Sequence, residues 1–418
     1  MEKLYSGKKL LVLGGKPIGS VELVQRAMEL GAYVIVADYL SVEESPAKLI
    51  SNEHWEISTA EVEQLADMCK QYQVDGILAG VHEFNINRML DLCEILHLPC
   101  YCKRDTWIYC DDKVEFKSLC QANNIPVAQK YSMDEIDNIK YPVIVKPVDG
   151  SGSRGFHICN DVKELKDKYK NASEFSPTGR VIIEDYIPYD AVIIQYTMFD
   201  GKCYFSGMSD KISCRFSSTG SSVMGFQSFP SKGISTYLEN LDEKAREMFE
   251  KAGFTDGPIW IEAFYDGKDK FYFNEMGYRF GGSLTNYPVE YFYGINQLDL
   301  MIAKALGGES ILTLQANSNA KHYCILPIHI KAGIVKRIEG LDELKAMPFF
   351  HEFVPVHFIA DHIQEWGSAQ QVFCYLHVLY DTDEDLKASL NKAMNILHVY
   401  DENGKDMLFT LFDFNKRL

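Results

Sequence analysis

From residue 8 to about residue 100 the chain alternates short, continuously apolar runs with longer segments whose apolar residues recur at helical spacing. KLLVLGG, YVIVADYL and GILAGV read as strands, and VELVQRAMELG, AEVEQLADMCKQY and the stretch before LPCYC read as helices. This alternation predicts an open parallel sheet with crossover helices. The helical run KVEFKSLCQANN follows, ending near Asn123 or Asn124, and Ile125-Pro126 begins an extended segment and a new domain. VIIEDYIPYDAVIIQYTMFDG has the β-branched content of strands on both sides of Pro188. In residues 258 to 282, PIWIEAFYDGKDKFYFNEMGYRFGG, apolar and polar residues alternate about a turn at Asp266 and Gly267, which predicts a β-hairpin. The serine-rich stretch from Ser213 to Ser222 reads as a mobile loop. From about residue 320, HYCILPIHIKAGIVKRIEG and VFCYLHVLYDTDEDLKASLNKAMNIL predict antiparallel strands with a closing helix. The fold class is therefore α/β joined to α+β.

With 418 residues, 46% of them apolar, the chain can bury a large core in about two to four domains. Its 42 basic and 59 acidic residues give a net charge of −17, and no block of lysines or arginines offers a footprint for nucleic acid or a membrane surface. An anionic substrate then needs a locally positive pocket, which directs attention to Lys113, Lys146, Arg154, Lys211, Arg215 and Arg279. Eleven cysteines without a C-x-x-C spacing read as free thiols in a reducing cytosol. The N-terminal MEKLYSGKKLLVLGGKP reads as a first strand, not a signal peptide, and no apolar run approaches the roughly 18 residues of a membrane span. A cytoplasmic protein is expected.

Two glycine-rich turns could receive phosphate. Gly150, Ser151, Gly152, Ser153, Arg154 and Gly155 spell G-x-G-x-x-G, but a dinucleotide loop must run into a helix, whereas Phe156, His157 and Ile158 continue as strand. The first helix start comes later, at Asn160 or Asp161 with Glu164 in the capping position. A hairpin flap over phosphates, with Lys146 just before it, is the better reading; an ordinary flexible hairpin is the alternative. The second turn, Gly14 to Gly19 with Asp38 ending the next strand, imitates a dinucleotide site at the wrong spacing. A structural or substrate-binding turn is the preferred reading there, and an NAD-dependent dehydrogenase the outside one.

Glu262 and Glu275 fall on opposite strands of the predicted hairpin. Two facing carboxylates repel, and a hard divalent cation would remove that penalty, since magnesium is usually held by one or two carboxylates plus substrate phosphates. Salt bridges to lysines would also remove it.

A lysine in CDDK at 113, a second before a flap, a Glu-Asp dipeptide between strands, a carboxylate pair and the arginine of GYRFGG occur in that order. With these motifs the chain resembles the ATP-grasp superfamily, in its carboxylate–amine ligase and carbamoyl-phosphate-synthase-like branch. The resemblance implies an N-terminal βα domain (1–110), a linker helix leading into the ATP-grasp domain (111–142), a lid with the glycine flap (143–200), an antiparallel catalytic subdomain (201–318) and a C-terminal α+β domain (319–418). It implies that Lys113 and Lys146 contact the nucleotide phosphates, and that Ser151, Gly152, Ser153, Arg154 and Gly155 cover them. Glu184, Asp185, Tyr186 and Ile187 would form the adenine-binding hinge, with the Glu184 side chain as a contributor, and Asp190 would bind the ribose. Glu262 and Glu275 would hold Mg2+, or Mn2+ in its place. Arg279 would stabilise the transferring phosphoryl group and, with Lys211 and Arg215, border the acceptor substrate. One departure stands out, because the common Glu-x-Asn-x-Arg is here Glu275-Met276-Gly277-Tyr278-Arg279. Asn274, by strand alternation, should point to the opposite face from Glu275.

The implied activity is a magnesium-dependent ligase that phosphorylates a carboxylate with ATP and passes the acyl group to an amine, with an amino acid or small peptide as one substrate. Homodimerisation belongs to the same resemblance. The alternatives are a bicarbonate-activating carboxylase or carbamoyl-phosphate-synthase-like enzyme, against which a long 213–230 loop argues, and a silent ATP-binding regulator.

Overall fold

The structure is a computed structural model and describes residues 4–16, 18–149, 155–219, 221–308 and 312–413. Strands β1 (Lys9–Leu13), β2 (Tyr33–Asp38), β3 (Glu53–Glu56) and β4 (Gly76–Ala79) form a parallel sheet in the order β3-β2-β1-β4. Helices α1 (Ser20–Glu29), α2 (Pro46–Ile50) and α3 (Val62–Tyr72) make the connections, and α4 (Glu83–Leu96) follows β4. Leu10 to Leu13 and Val34 to Asp38 are buried along their whole length, because a parallel sheet is covered on both faces. That burial is why these strands read as unbroken apolar runs.

After α5 (Arg104–Asp111) and α6 (Lys113–Ala122), a small antiparallel sheet forms from β5 (Lys130–Tyr131), β6 (Val143–Pro147), β7 (His157–Cys159) and β8 (Val181–Asp185), in the order β5-β8-β6-β7. The glycine-rich loop thus does lead into a strand, and the helix comes afterwards, as α7 (Val162–Glu174). Asp161 Oδ1 accepts from the Glu164 backbone N–H at 2.8 Å, and Glu164 Oε2 accepts from that of Asn160 at 2.8 Å, which fixes the start of α7.

The largest sheet is antiparallel and has nine strands. β9 (Ala191–Phe199), β10 (Lys202–Arg215) and β11 (Ser222–Phe229) precede helices α8 (Ile234–Asn240) and α9 (Asp242–Lys251). β12 (Gly257–Tyr265) and β13 (Phe271–Gly277) then form the expected hairpin, with Gly267 at φ 77° in its turn. Its turn is tied by Asp266 Oδ1, which accepts from the backbone N–H groups of Lys268, Asp269 and Lys270 at 2.9–3.0 Å. The order runs β13-β12-β9-β10-β11 and continues through β14 (His322–Ile330) to strands Val372–Tyr380 and Phe350–Pro355. The C-terminal strands therefore extend the sheet that carries Glu262 and Glu275.

The expected mobile loop at Ser213 to Ser222 is ladder at both ends, which leaves residues 216–221 as the tip. Ser213, Cys214 and Arg215 pair with Met224, Val223 and Ser222, so β10 and β11 form one long hairpin with a short tip. Serine content suggested a loop, but cross-strand pairing satisfies this backbone as well as water would.

Candidate active site

The first glycine turn uses its own polar groups internally. Asp38 Oδ2 accepts from the Gly15 N–H at 2.6 Å and from Ser45 Oγ at 2.8 Å, while Oδ1 lies 2.8 Å from the Lys48 ammonium. A Cβ at residue 15 would stand 2.0 Å from Ser45 Oγ, so glycine is required for this packing. Asp38 is buried and committed to this network, which accounts for it as a structural residue.

β6, which leads into the second turn, borders a cluster built from the small sheet and the large one. Residues 150–154, including Ser151, Gly152, Ser153 and Arg154 of the expected flap, are outside the described residues. Gly155 is described, at φ 71°, where a Cβ would come within 2.9 Å of Phe175 Cβ. At the end of β6, Lys146 Nζ stands 3.2 Å from Glu184 Oε2 on the neighbouring strand β8. Lys117, one turn beyond Lys113 on α6, ion-pairs with Glu184 Oε1. Glu184 is wholly buried. Burial opposes its ionisation, but Lys146 and Lys117 outweigh that and hold the carboxyl below its ordinary range. Burial, and then repulsion from Lys146, pull the Lys117 ammonium down to about 8. The Glu184 side chain, expected as a contributor to an adenine site made mainly by backbone, is thus engaged by two lysines. The rest of the expected hinge follows: Asp185 Oδ1 accepts from Tyr131 Oη at 2.7 Å, Tyr186 N–H donates to the Pro142 carbonyl at 3.3 Å, Ile187 is half-buried and Asp190 is exposed.

Across from these lysines is the β12–β13 hairpin. Glu262 and Glu275 are direct cross-strand partners, as their places in the sequence suggested. Asn274, however, is not turned away. The register steps from Glu262↔Glu275 to Ala263↔Phe273, so Asn274 is the extra residue of a β-bulge, and a bulge breaks alternation. Asn274 Nδ2 donates to Glu262 Oε1 at 2.9 Å, and its Oδ1 accepts from Lys146 Nζ at 2.9 Å. One amide therefore links the small sheet's lysine to the large sheet's carboxylate. Asn274→Ala should weaken Mg-nucleotide binding about tenfold, the worth of a hydrogen bond to a charged group. Calorimetric titration with Mg-AMP-PNP checks this, and unchanged affinity would refute it.

Lys211 on β10 ion-pairs with Glu262 Oε2, and Lys113 Nζ lies 3.8 Å from Glu275 Oε2. Burial raises the Glu262 carboxyl, but Lys211 and the Asn274 amide pull it below its ordinary range. Arg215 ends β10 in an exposed position, apart from the cavity that Lys211 lines. Arg279 bonds Glu83, the first residue of α4, at 2.7 Å and lies 5.3 Å from the centre of the Trp260 ring. Lys117, Glu83 and Trp260 were not singled out in the sequence. Only Lys117 carried a signal there, its i+4 spacing from Lys113.

Lys211, Lys113 and the Asn274 amide offset the charge of the carboxylate pair, which is the salt-bridge alternative. Among the described residues no group of three or more His, Cys, Asp or Glu is placed to hold a metal ion by itself. An ion at Glu262 and Glu275 would complete its shell from water and phosphate, the habit of magnesium beside nucleotides. Position 277 cannot contribute a side chain, because a Cβ there would lie 2.4 Å from Trp260 Nε1 and Cε2.

Residues 139–287 match the family model described as "ATP-grasp domain". A formate-dependent phosphoribosylglycinamide formyltransferase of Bacillus velezensis is 24% identical over 204 residues, 47% of this chain and 52% of that protein. The chain thus spans about half the length of such curated relatives. The crystal structure of L-amino acid ligase from Bacillus licheniformis superposes with a TM-score of 0.73 at 18% identity, covering 95% of this chain and 100% of that one. The biotin carboxylase domain of Hydrogenobacter thermophilus 2-oxoglutarate carboxylase, solved with MgADP, ADP and bicarbonate, gives 0.78 at 18% identity, with coverages of 96% and 91%. The fold is that of these structures. Among the described residues no helix is long and apolar enough to cross a membrane.

Proposed function

Since the chain carries an ATP-grasp domain, we propose that it is a magnesium-dependent ligase that phosphorylates a carboxylate with ATP and transfers the acyl group to an amine. A carboxylate oxygen attacks the γ-phosphorus and ADP leaves; the amine nitrogen then attacks the acyl carbon, the C–O bond to phosphate breaks, phosphate leaves, and the nitrogen gives up a proton to phosphate or water. The observation that carries this reading is the meeting of Lys113, Lys117 and Lys146 on one side with Glu262, Asn274 and Glu275 on the other. Ammonium groups suit phosphate oxygens, and facing carboxylates suit the cation that accompanies them.

In this reading Lys113 and Lys146 bind the phosphates, and the segment Ser151 to Gly155 covers them. Residues Glu184 to Ile187 receive the adenine through their backbone, and Asp190 borders the ribose. Glu262 and Glu275 hold the magnesium ion, which when bound neutralises charge on the phosphate oxygens. Arg279 leaves Glu83 to meet the acyl phosphate, and Lys211 turns from Glu262 toward the substrate. Positioned charge of this kind is most of what phosphoryl transfer requires.

ADP release is the test, measured with Mg-ATP against crossed pools of carboxylic acids and amines, with bicarbonate and ammonia as separate wells. A pool-dependent signal that Glu275→Ala abolishes while the protein stays folded is the expected result. Absence of release in every well, from protein that binds Mg-ATP, would overturn the ligase reading in favour of a silent binder. The bicarbonate well matters because the expected 213–230 loop is strand except at residues 216–221 and 230, which removes the argument for a large substrate.

A further inference from the structure

Two rows of residues cross the large sheet side by side. In one, Ile193, Glu262 and Glu275 are cross-strand partners; in the next, two residues along β12, the partners are Gln195, Trp260 and Gly277. The first row carries the carboxylates. The second carries buried nitrogen donors, Trp260 Nε1 and Gln195 Nε2, that find no hydrogen-bond partner among the described residues. Arg279, stacked on the indole, has its Nε in the same condition. Burying an N–H without an acceptor is costly, and two such residues, Trp260 and Gln195, on neighbouring strands and lining one place, mark a site completed by something else.

That place is a cavity of about 180 Å³, lined by Gln195, Lys211, Gln227, Trp260, Glu262 and Ser283 among others. It is small beside the about 300–1,000 Å³ of ordinary ligand pockets. Rows two residues apart on a strand are separated by about 7 Å, near enough for one ligand group to meet a phosphate held over the first row. Gly277 is the condition for this arrangement, because any side chain there would displace the indole.

We propose that Trp260 and Gln195 form the seat of the substrate carboxylate, their side-chain N–H groups donating to its two oxygens, with Arg279 held beside it on the indole face. The seat takes a small monocarboxylate, up to the size of a short amino acid, and aims one oxygen at the row above which the γ-phosphate lies. This inference rests on the ligase reading and adds to it the residues that orient the acyl donor. Trp260 is thereby a substrate-contacting residue, and its indole N–H, not its bulk alone, is what the site uses.

The test uses the full chain saturated with Mg-AMP-PNP and titrated calorimetrically with sodium formate, bicarbonate, acetate and L-alanine, with L-alaninamide as the uncharged control. At least one carboxylate should bind the wild type, and the amide should not. Trp260→Phe, which keeps a ring and removes the N–H, should weaken that carboxylate at least tenfold while AMP-PNP affinity stays within twofold. Trp260→His, which returns a ring N–H, should recover part of the loss. Gln195→Leu gives a second, independent reading should the ring substitution disturb packing. Wild-type carboxylate affinity in both Trp260→Phe and Gln195→Leu would overturn the proposal, as would failure of every carboxylate to bind the wild type with AMP-PNP in place. Failure of AMP-PNP itself to bind is a different result, and it overturns the ligase reading and the seat with it.

Discussion

Glu184→Leu is expected to destabilise the protein by about 3–5 kcal/mol, the cost of stranding a buried charge by removing its partner. Here one wholly buried carboxylate serves two lysines, Lys117 and Lys146, whose side chains are 6% and 9% exposed. Without Glu184 two ammonium groups would face each other where water cannot reach them. Urea unfolding measures the loss, and adding Lys117→Met to Glu184→Leu should recover part of it by removing one stranded charge. A Glu184→Leu protein as stable as wild type would show that the cluster is wetter than its burial indicates. The pH dependence has a definite sign. Lys117 titrates near 8 in the folded protein against an ordinary 10.5, so between these values the unfolded chain binds more protons. The cost of burying this ammonium is complete below pH 8 and fades as the pH rises toward 10.5. Lys117→Met should remove that rising limb of stability. Glu184, shifted downward, acts at the other end: its stabilising contribution is present above its unfolded value and is lost as pH falls through its folded value.

Much of this cluster was legible in the sequence, for reasons particular to each part. The parallel sheet announced itself because β1 and β2 are buried on both faces and so have no polar positions to interrupt them. The Glu262–Glu275 pair could be read from a hairpin whose turn residues fix its register. What failed was alternation past the bulge: the period-2 rule holds only while the ladder is regular, and nothing in FYFNEMG marks Asn274 as the extra residue. The pairing of Glu184 with Lys117 and Lys146 could not be read from the sequence, because the three residues lie on α6, β6 and β8 and meet only in space. Trp260 passed for an ordinary apolar strand residue, since its orphaned N–H is a property of its surroundings and not of its type. The C-terminal strands were recognisable as strands, but their joining of the sheet through β11 and β14 is a long-range pairing that local pattern does not encode.

Lys146→Met should lower ADP formation by about 10²–10³-fold, the loss typical of removing one preorganised charge-stabilising donor, while leaving the fold intact. The contrast with Glu184 follows from the count of charges. Taking away Lys146 leaves Glu184 still paired with Lys117, so no buried charge is stranded, and the thioether-bearing side chain fills most of the vacated space. What disappears is the ammonium 2.9 Å from Asn274 Oδ1, through which the small sheet reaches Glu262 on the large one. A lysine that only held the lid closed could be replaced at the expense of nucleotide affinity alone, so the partition between KM for ATP and kcat distinguishes a clamp from a group that acts on the transferring phosphoryl. The same substitution carries an internal check. Repulsion from Lys146 is one of the two causes that pull Lys117 down to about 8, so in Lys146→Met the rising limb of stability should begin at a higher pH than in the wild type. A normal rate of ADP formation combined with an unmoved limb would mean that Lys146 faces solvent in the working enzyme, and the phosphate-binding role assigned to it would fall.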